Sequence, residues 1–453
     1  MSRWNLAWIL TLPSVVIVGL TIAFCAPRGS KSRDQDYQNV QLMVEVLAEV
    51  DQNYVRELTP EQKKKFVEDM INGGLERLDP YSGFYNEDDY RELEKTTDGK
   101  FGGIGVQVNI DRATGYLQVT SPMVGTPAYD AGILAGDLIL KVDGKPTDGL
   151  RYDDLIRSIQ GEPGTQVTLT VVHEGTKEPV DISITRAIIE IQSVLGDRRI
   201  PDNPAEWDWM IDKTHRIGYI RLAGFSEHTA SELKSAIQKL EVQGVRGLVI
   251  DLRDNPGGLL TSSVEISDLF LDKGRIVSIR DRKGREKAYD AKDKGTLLLP
   301  PSAHPMAVLV NKNSASASEI VAAALQDHGR AVIVGERTFG KGSVQNVIKI
   351  PDRTPPVALK LTTASYWRPS GTNIHRHADA KETDDWGVKP NAGFEVKLTD
   401  AERLQYLRWR RARDIVQGKA ATTPAKKPEK EEPAFTDKML EKALEHLRKE
   451  LGQ

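Results

Sequence analysis

The chain of 453 residues is too long for one hydrophobic core, so two or three domains are expected. Its 39% hydrophobic and 28% charged residues are the balance of an ordinary globular protein. A net charge of −3 and a pI near 6.3 give no footprint for nucleic acid, and the one cysteine, Cys25, excludes an intramolecular disulfide and a cysteine-rich zinc site.

Leu6 to Ala26 is a run of 21 uncharged residues with Arg3 before it and Arg28, Lys31 and Arg33 after it. Such a run can span a bilayer, so residues 1–33 read as a membrane anchor, with a cleaved signal peptide as the rival reading. Bulky Phe24 before Cys25 argues against a lipoprotein site. Either reading puts the rest of the chain in the cell envelope, facing the periplasmic or extracytoplasmic side. Helical spacing over Asp36–Tyr54 and Pro60–Leu78 predicts a helical arm, residues 34–96, that contains G-G-L-E-R-L-D-P-Y-S-G-F-Y at Gly73–Tyr85.

Next come F-G-G-I-G-V at Phe101–Val106 and S-P-M-V-G-T-P-A-Y-D-A-G-I-L-A-G-D-L-I-L-K-V-D-G at Ser121–Gly144. A glycine loop of this kind can present amides to a terminal carboxylate, while the adjoining strand accepts a peptide as an extra strand. The pair of motifs resembles a PDZ domain of the bacterial, circularly permuted kind, over residues 97–187. The resemblance implies peptide contacts from Gly103, Ile104, Gly105 and Val106, with Asp153–Gln160 as the helix walling the groove.

Alternating strand and helix patterns from Ile188 to about Glu395 predict an α/β core, residues 188–395, closed by Trp386-Gly387-Val388-Lys389-Pro390. Within it, Leu248–Leu252 is a short apolar run typical of a strand buried on both faces, and Asp254-Asn255-Pro256-Gly257-Gly258 forces a turn that exposes backbone N–H groups. From Asn311 to Gln345 three serines, Ser314, Ser316 and Ser318, stand at the mouth of a helix. There, unpaired amides and the helix dipole favour negative charge on oxygen, a suitable seat for a nucleophile. Neither G-x-S-x-G nor H-E-x-x-H occurs, which leaves Lys341 as the candidate base. A lysine base must be neutral, so burial has to pull its pKa from about 10.4 towards 7 or 8, at roughly 4 kcal/mol. Gly340 and Gly342 allow the close backbone approach this needs. Period-two alternation in the following strand sets Lys341 and Gln345 on one face, where the Gln345 amide can orient the amine.

Gly335–Lys341 also satisfies G-x-x-x-x-G-K, but Gly342 stands where a phosphate loop needs Ser or Thr. His375 and His377 have ligand-like alternate spacing without a companion ligand, so no metal is expected. A helical extension, residues 396–416, precedes a charged, proline-bearing linker, residues 417–433. Beyond it, Leu440, Leu444, Leu447 and Leu451 repeat on one face of a helix, residues 434–453, expected to dock on its own domain, an adaptor or a second copy.

S-A-S-A-S-E-I followed by G-E-R-T-F-G-K-G-S-V-Q resembles the catalytic core of the tail-specific, or carboxyl-terminal processing, serine proteases, and the likeness runs over roughly residues 40 to 395. The resemblance implies a multidomain fold: a crotonase/Clp-like α/β core, an inserted PDZ domain, an N-terminal helical arm and a C-terminal tail. It implies Ser316 as nucleophile, 25 positions before the base Lys341, with Gln345 four positions further on. Ser314 and Ser318 become supporting residues. The Gly257/Gly258 turn and the amide of Ala317 would form the oxyanion hole, either glycine being eligible. Arg157 matches an arginine the family is thought to use to relay peptide binding to the catalytic site, and a solvated helix charge is an equal reading. An exported or membrane-anchored endopeptidase follows, acting on proteins or peptides with free C-termini and needing no cofactor. A noncatalytic PDZ adaptor is disfavoured by the intact Ser/Lys/Gln set.

Overall fold

The computed structural model describes residues 30–292, 298–351, 354–419 and 435–452. The leader 1–29 and most of the linker lie outside the described residues, and among the described residues no helix is long and apolar enough to cross a membrane. The chain divides at Gly74 and Leu75 into two compact units.

The first unit consists of the helix Ser30–Asn53 and most of the helix Pro60–Glu76. Thr59 starts the second: its hydroxyl accepts from the Gln62 amide at 3.2 Å while Gln62 Oε1 accepts from the Thr59 amide at 2.9 Å, and Pro60 takes the first helical position.

In the second unit the core is a mostly parallel sheet ordered Val194–Leu195, Ile217–Leu222, Gly247–Asp251, Met306–Val310, Val332–Gly335, with Met210–Asp212 antiparallel beside Ile217–Leu222. Every residue of Gly247–Asp251 and Met306–Val310 is buried, as parallel strands covered on both faces must be. One face, with Leu248, Ile250 and Val308, packs against the helices Thr229–Val242, Leu260–Asp268 and Ala317–Asp327. The other, with Tyr219, Val249 and Leu309, is covered by Met439, Leu440, Ala443, Leu444 and Leu447 of the last helix, Lys438–Glu450. The leucine stripe of the tail therefore docks on its own core sheet.

A second, antiparallel sheet joins Gly83–Tyr85, Ala358–Trp367, Arg275–Asp281, Glu286–Asp290 and Ser343–Lys349. It carries the strand that follows Lys341.

The inserted module is a sheet ordered Val106–Ile110, Leu117–Pro122, Leu138–Val142, Gln166–Val172, Val180–Thr185, closed by the helix Tyr152–Ile159 over a core of Ile104, Leu117, Ile139, Leu155 and Leu169. Its entry and exit strands, Lys100–Gly103 and Ala187–Glu190, pair antiparallel. Buried Arg186 donates to the carbonyls of Ser158 and Ile159, so a cation satisfies the C-terminal end of the groove helix.

Two residues past the strand Gly247–Asp251, Arg253 is fully buried between two carboxylates. Its Nη2 donates to Asp251 Oδ2 at 2.6 Å and to Asp437 Oδ2 at 2.8 Å, and its guanidinium lies 4.4 Å from the Tyr406 ring centroid. Burial would raise the Asp251 carboxyl, but Arg253 holds it below its usual value. Asp437 is also the N-cap of the last helix, accepting from the Leu440 amide at 3.2 Å. One side chain thus starts this helix and clasps it to the core. Asp437→Ala removes both roles and should lower the unfolding free energy by about 3 kcal/mol, the low end for a broken buried pair. A urea-denaturation loss below about 1 kcal/mol would show that the clasp is not a stabilising contact.

Candidate active site

Ser316 is the N-cap of the helix Ala317–Asp327 and takes φ 56°, ψ −114°, a conformation that suits glycine. It is held there from several sides. Ser314 Oγ donates to the Leu252 carbonyl at 2.8 Å, while the Ala315 amide and Ser318 Oγ both donate to the Asn255 carbonyl at 3.0 Å. Ser318 therefore lashes the serine turn to the Asp254–Gly258 turn, and Ser314 ties it to Leu252 just before that turn. A Cβ on Gly257 would stand 2.9 Å from Ser316 Cβ, so the two turns can touch only with glycine there.

Glu319, one turn into the helix, organises the site. Its carboxylate is fully buried and accepts from four donors: the amides of Ser316 (2.8 Å), Gly340 (2.7 Å) and Lys341 (2.8 Å), and Thr338 Oγ1 (2.6 Å). The serine and lysine backbones, 25 residues apart, thus hang on one carboxylate. Burial pushes the Glu319 carboxyl up to about 7 against the pull of its four donors. Sequence reasoning missed this residue, although Ser316-x-x-Glu319 has the spacing of a helix-start signature that could have found it.

Lys341 is part-buried, its Nζ 4.9 Å from the Tyr81 ring centroid. Its pKa lies below the ordinary lysine value, chiefly through burial and then through the Lys360 charge, with Glu319 opposing. Gln345 is placed otherwise than alternation implies. Its Nε2 donates to Ser343 Oγ at 2.9 Å and to Thr362 Oγ1 at 3.1 Å, and no hydrogen bond joins it to Lys341. The strand begins only at Ser343, so alternation sets Gln345 on the face of Ser343 and does not extend back to Lys341. Thr362 in turn donates to Asp79 Oδ1 at 3.1 Å, which ties Gln345 to the turn carrying Tyr81.

Tyr366 is buried, and burial pushes its hydroxyl pKa up to about 12, with Ser316 opposing. Of the expected amide donors, Gly257 gives its N–H to Asn255 Oδ1 at 2.8 Å, whereas Gly258 and Ala317 donate to no acceptor among the described residues. His375 and His377 meet edge to face at 5.1 Å, and the described residues contain no cluster of three metal-ligating side chains. No helix follows Lys341, so Gly335–Lys341 lacks the build of a phosphate loop.

In the module, a cleft of about 810 Å³ runs between the strand Val106–Ile110 and the helix Tyr152–Ile159. Gly103, Ile104, Gly105, Val106 and Arg157 all line it. The outer edge of Val106–Ile110 ends the sheet, so its backbone groups are available to an added strand.

Residues 216–392 match Peptidase family S41, and residues 118–172 match a PDZ domain. A carboxy-terminal-processing protease of Bartonella bacilliformis is 39% identical over 368 residues, covering 80% of this chain and 79% of that protein. The chain belongs to this protease family. A carboxyl-terminal-processing protease of Synechocystis is 34% identical over 77% of this chain and 70% of its own. The solved structure of a photosystem II D1 C-terminal processing protease is 30% identical, covering 79% of this chain and 92% of that one, with a TM-score of 0.42. This S41 chain is accordingly a carboxy-terminal processing serine protease with a PDZ domain, built on the mixed α/β fold described above.

The raised Glu319 pKa has a pH consequence of definite sign. A carboxyl that ionises at about 4.5 unfolded and about 7 folded contributes stability that is present below 4.5 and lost as pH rises to 7. Across that window stability should fall by up to about 1.4 kcal/mol per pH unit from this group. Glu319→Gln should flatten that slope in chemical denaturation and, by opposing an NH₂ to backbone amides, cut kcat/KM at least ~10-fold. An unchanged slope would show that Glu319 titrates elsewhere.

Proposed function

We propose that this protease cleaves by a Ser-Lys mechanism in which Ser316 is the nucleophile and Lys341 the general base. The observation that carries this reading is the shared Glu319 carboxylate, which fixes the serine and lysine segments to one point inside the core. Neutral Lys341 takes the proton of Ser316 Oγ as that oxygen attacks the substrate carbonyl, and returns it to the leaving amine. The amides of Ala317 and the Gly257/Gly258 turn receive the oxyanion, Gly258 being favoured because the Gly257 amide is already committed to Asn255. Gln345, with Thr362, supports the strand behind the base.

Ser316→Ala, Lys341→Ala and Lys341→Arg should each abolish casein cleavage while leaving the fold intact, since arginine cannot deprotonate at working pH. Wild-type activity should rise with pH as Lys341 loses its proton, with a midpoint below the usual lysine range. Cleavage by Ser316→Ala, freed of contaminating proteases, would sink the assignment.

Substrates are proposed to be proteins with free, partly apolar C-termini, seated in the cleft between Val106–Ile110 and Tyr152–Ile159. Tethering there raises the local substrate concentration, so cleavage needs no strict sequence at the scissile bond. Amidating the C-terminus of a peptide whose cleavage site is unchanged should lower kcat/KM. Equal cleavage of both forms would assign the module another role.

The uncharged run Leu6–Ala26 supports an exported enzyme, anchored in or released to the cell envelope. An anchored protein should sediment with membranes and resist carbonate extraction. A mature chain starting near residue 27 would mean a cleaved signal peptide, and recovery in the cytosolic fraction would overturn export.

A further inference from the structure

The residues D-P-Y-S at Asp79–Ser82 form a turn that the proposed chemistry leaves unused, although it lies against Lys341. Asp79 builds this turn. Its Oδ1 accepts from the amides of Tyr81 (2.8 Å) and Ser82 (2.9 Å), and its Oδ2 accepts from Ser82 Oγ at 2.7 Å. Burial would raise the Asp79 carboxyl, but the Ser82 hydroxyl and these two amides hold it below its usual value. The turn is also fastened to the second sheet: Ser82 Oγ accepts from the Thr362 amide at 3.1 Å, and Gly83–Tyr85 pairs antiparallel with Ala358–Lys360. Tyr81 therefore projects from a fixed point.

The face of the Tyr81 ring lies 4.9 Å from Lys341 Nζ, and that amine makes no hydrogen bond or ion pair among the described residues. An aromatic face acts on an amine in two opposed ways. Its π cloud attracts the ammonium, an effect that is small at a part-exposed site, whereas its bulk keeps water away and so favours the neutral form. Burial is the chief influence on Lys341, which puts the exclusion of water first. The other groups about the amine are Glu319 on the serine helix and Lys360 on the strand Ala358–Trp367, which oppose each other, and His375 on the segment that crosses Gly342. Arg376 of that segment stacks on Trp386 instead, and the Asp79 charge acts on Tyr81 and His375. Burial, then Glu319 and Asp79, raise the Tyr81 hydroxyl pKa, so the phenol stays protonated and takes no proton itself.

We propose, on the Ser-Lys reading, that Tyr81 is a positioning residue for Lys341: held by the Asp79–Ser82 turn, its ring covers the amine and keeps water from it, so that the amine can act as a base at lower pH than a solvated lysine could.

The test is the pH dependence of kcat/KM for the full-length chain on one peptide with a free C-terminus, which reports ionisations of the free enzyme. Tyr81→Ala should move the midpoint up by about one pH unit, a loss of about tenfold at pH values below it. Tyr81→Phe keeps the ring and should leave the midpoint in place. An unmoved or lowered midpoint in Tyr81→Ala means a merely structural role and overturns the proposal, even where the high-pH plateau falls. A Tyr81→Phe midpoint that rises with that of Tyr81→Ala overturns it too. Should Tyr81→Ala fail to fold, Tyr81→Gln decides, since it fills the space but offers the ammonium an acceptor and must also raise the midpoint. Lys341→Ala is assayed alongside. Cleavage by that variant overturns the base assignment and the role of Tyr81 together, whereas a dead Lys341→Ala beside an unmoved Tyr81→Ala midpoint overturns the role of Tyr81 alone.

Discussion

One buried carboxylate holds the active site together. Glu319 accepts from Ser316, Thr338, Gly340 and Lys341 at once, so the helix that presents the serine and the loop that presents the lysine cannot shift independently. Its charge also acts on the lysine. An anion so near favours the protonated amine, which opposes the neutral state that the proposed role of Lys341 as base needs, and burial together with Lys360 outweighs it. The same group that fixes the geometry therefore limits how far the Lys341 amine can be tuned. A drier pocket would depress Lys341 further, but it would also drive Glu319 towards protonation and weaken the amides it anchors.

Features set by neighbouring residues were legible in the sequence, and features set by distant ones were not. The serine run at a helix start, the lysine between glycines and the glycine loop of the PDZ module depend on local backbone, so their residue types announce them. Asn255, Thr338, Tyr366 and Asp79 acquire their roles from partners far along the chain, such as Ser318 bonding the Asn255 carbonyl across 63 positions. Several of them stand in motifs the sequence displays, but the distant partner that fixes each role is not displayed with them. Gln345 shows the opposite failure: period-two alternation is a rule for strand residues, and Lys341 lies two positions before the strand begins at Ser343. The leucine stripe of the last helix was readable as amphipathic, whereas its docking surface, the back of the core sheet around Tyr219, Val249 and Leu309, is a property of topology.

The Asp251–Arg253–Asp437 cluster gives the tail a fixed address. A buried ion pair adds little net stability over a well-packed apolar substitute, but it tolerates one register, and an apolar stripe alone would slide. Arg253 also directly precedes the Asp254–Gly258 turn, so the last helix is seated beside that turn, whose first amide is held by Asn311.

Ser316 occupies a backbone conformation that costs a side-chain-bearing residue about 1–3 kcal/mol and costs glycine almost nothing. The most stable chain with this fold would therefore carry glycine, and no hydroxyl, at position 316. A library of variants enriched for heat tolerance alone would drift towards glycine at 316 and emerge sturdier and, on the proposed mechanism, inert. On the proposed mechanism, serine at 316 sets turnover against endurance at a single torsion angle.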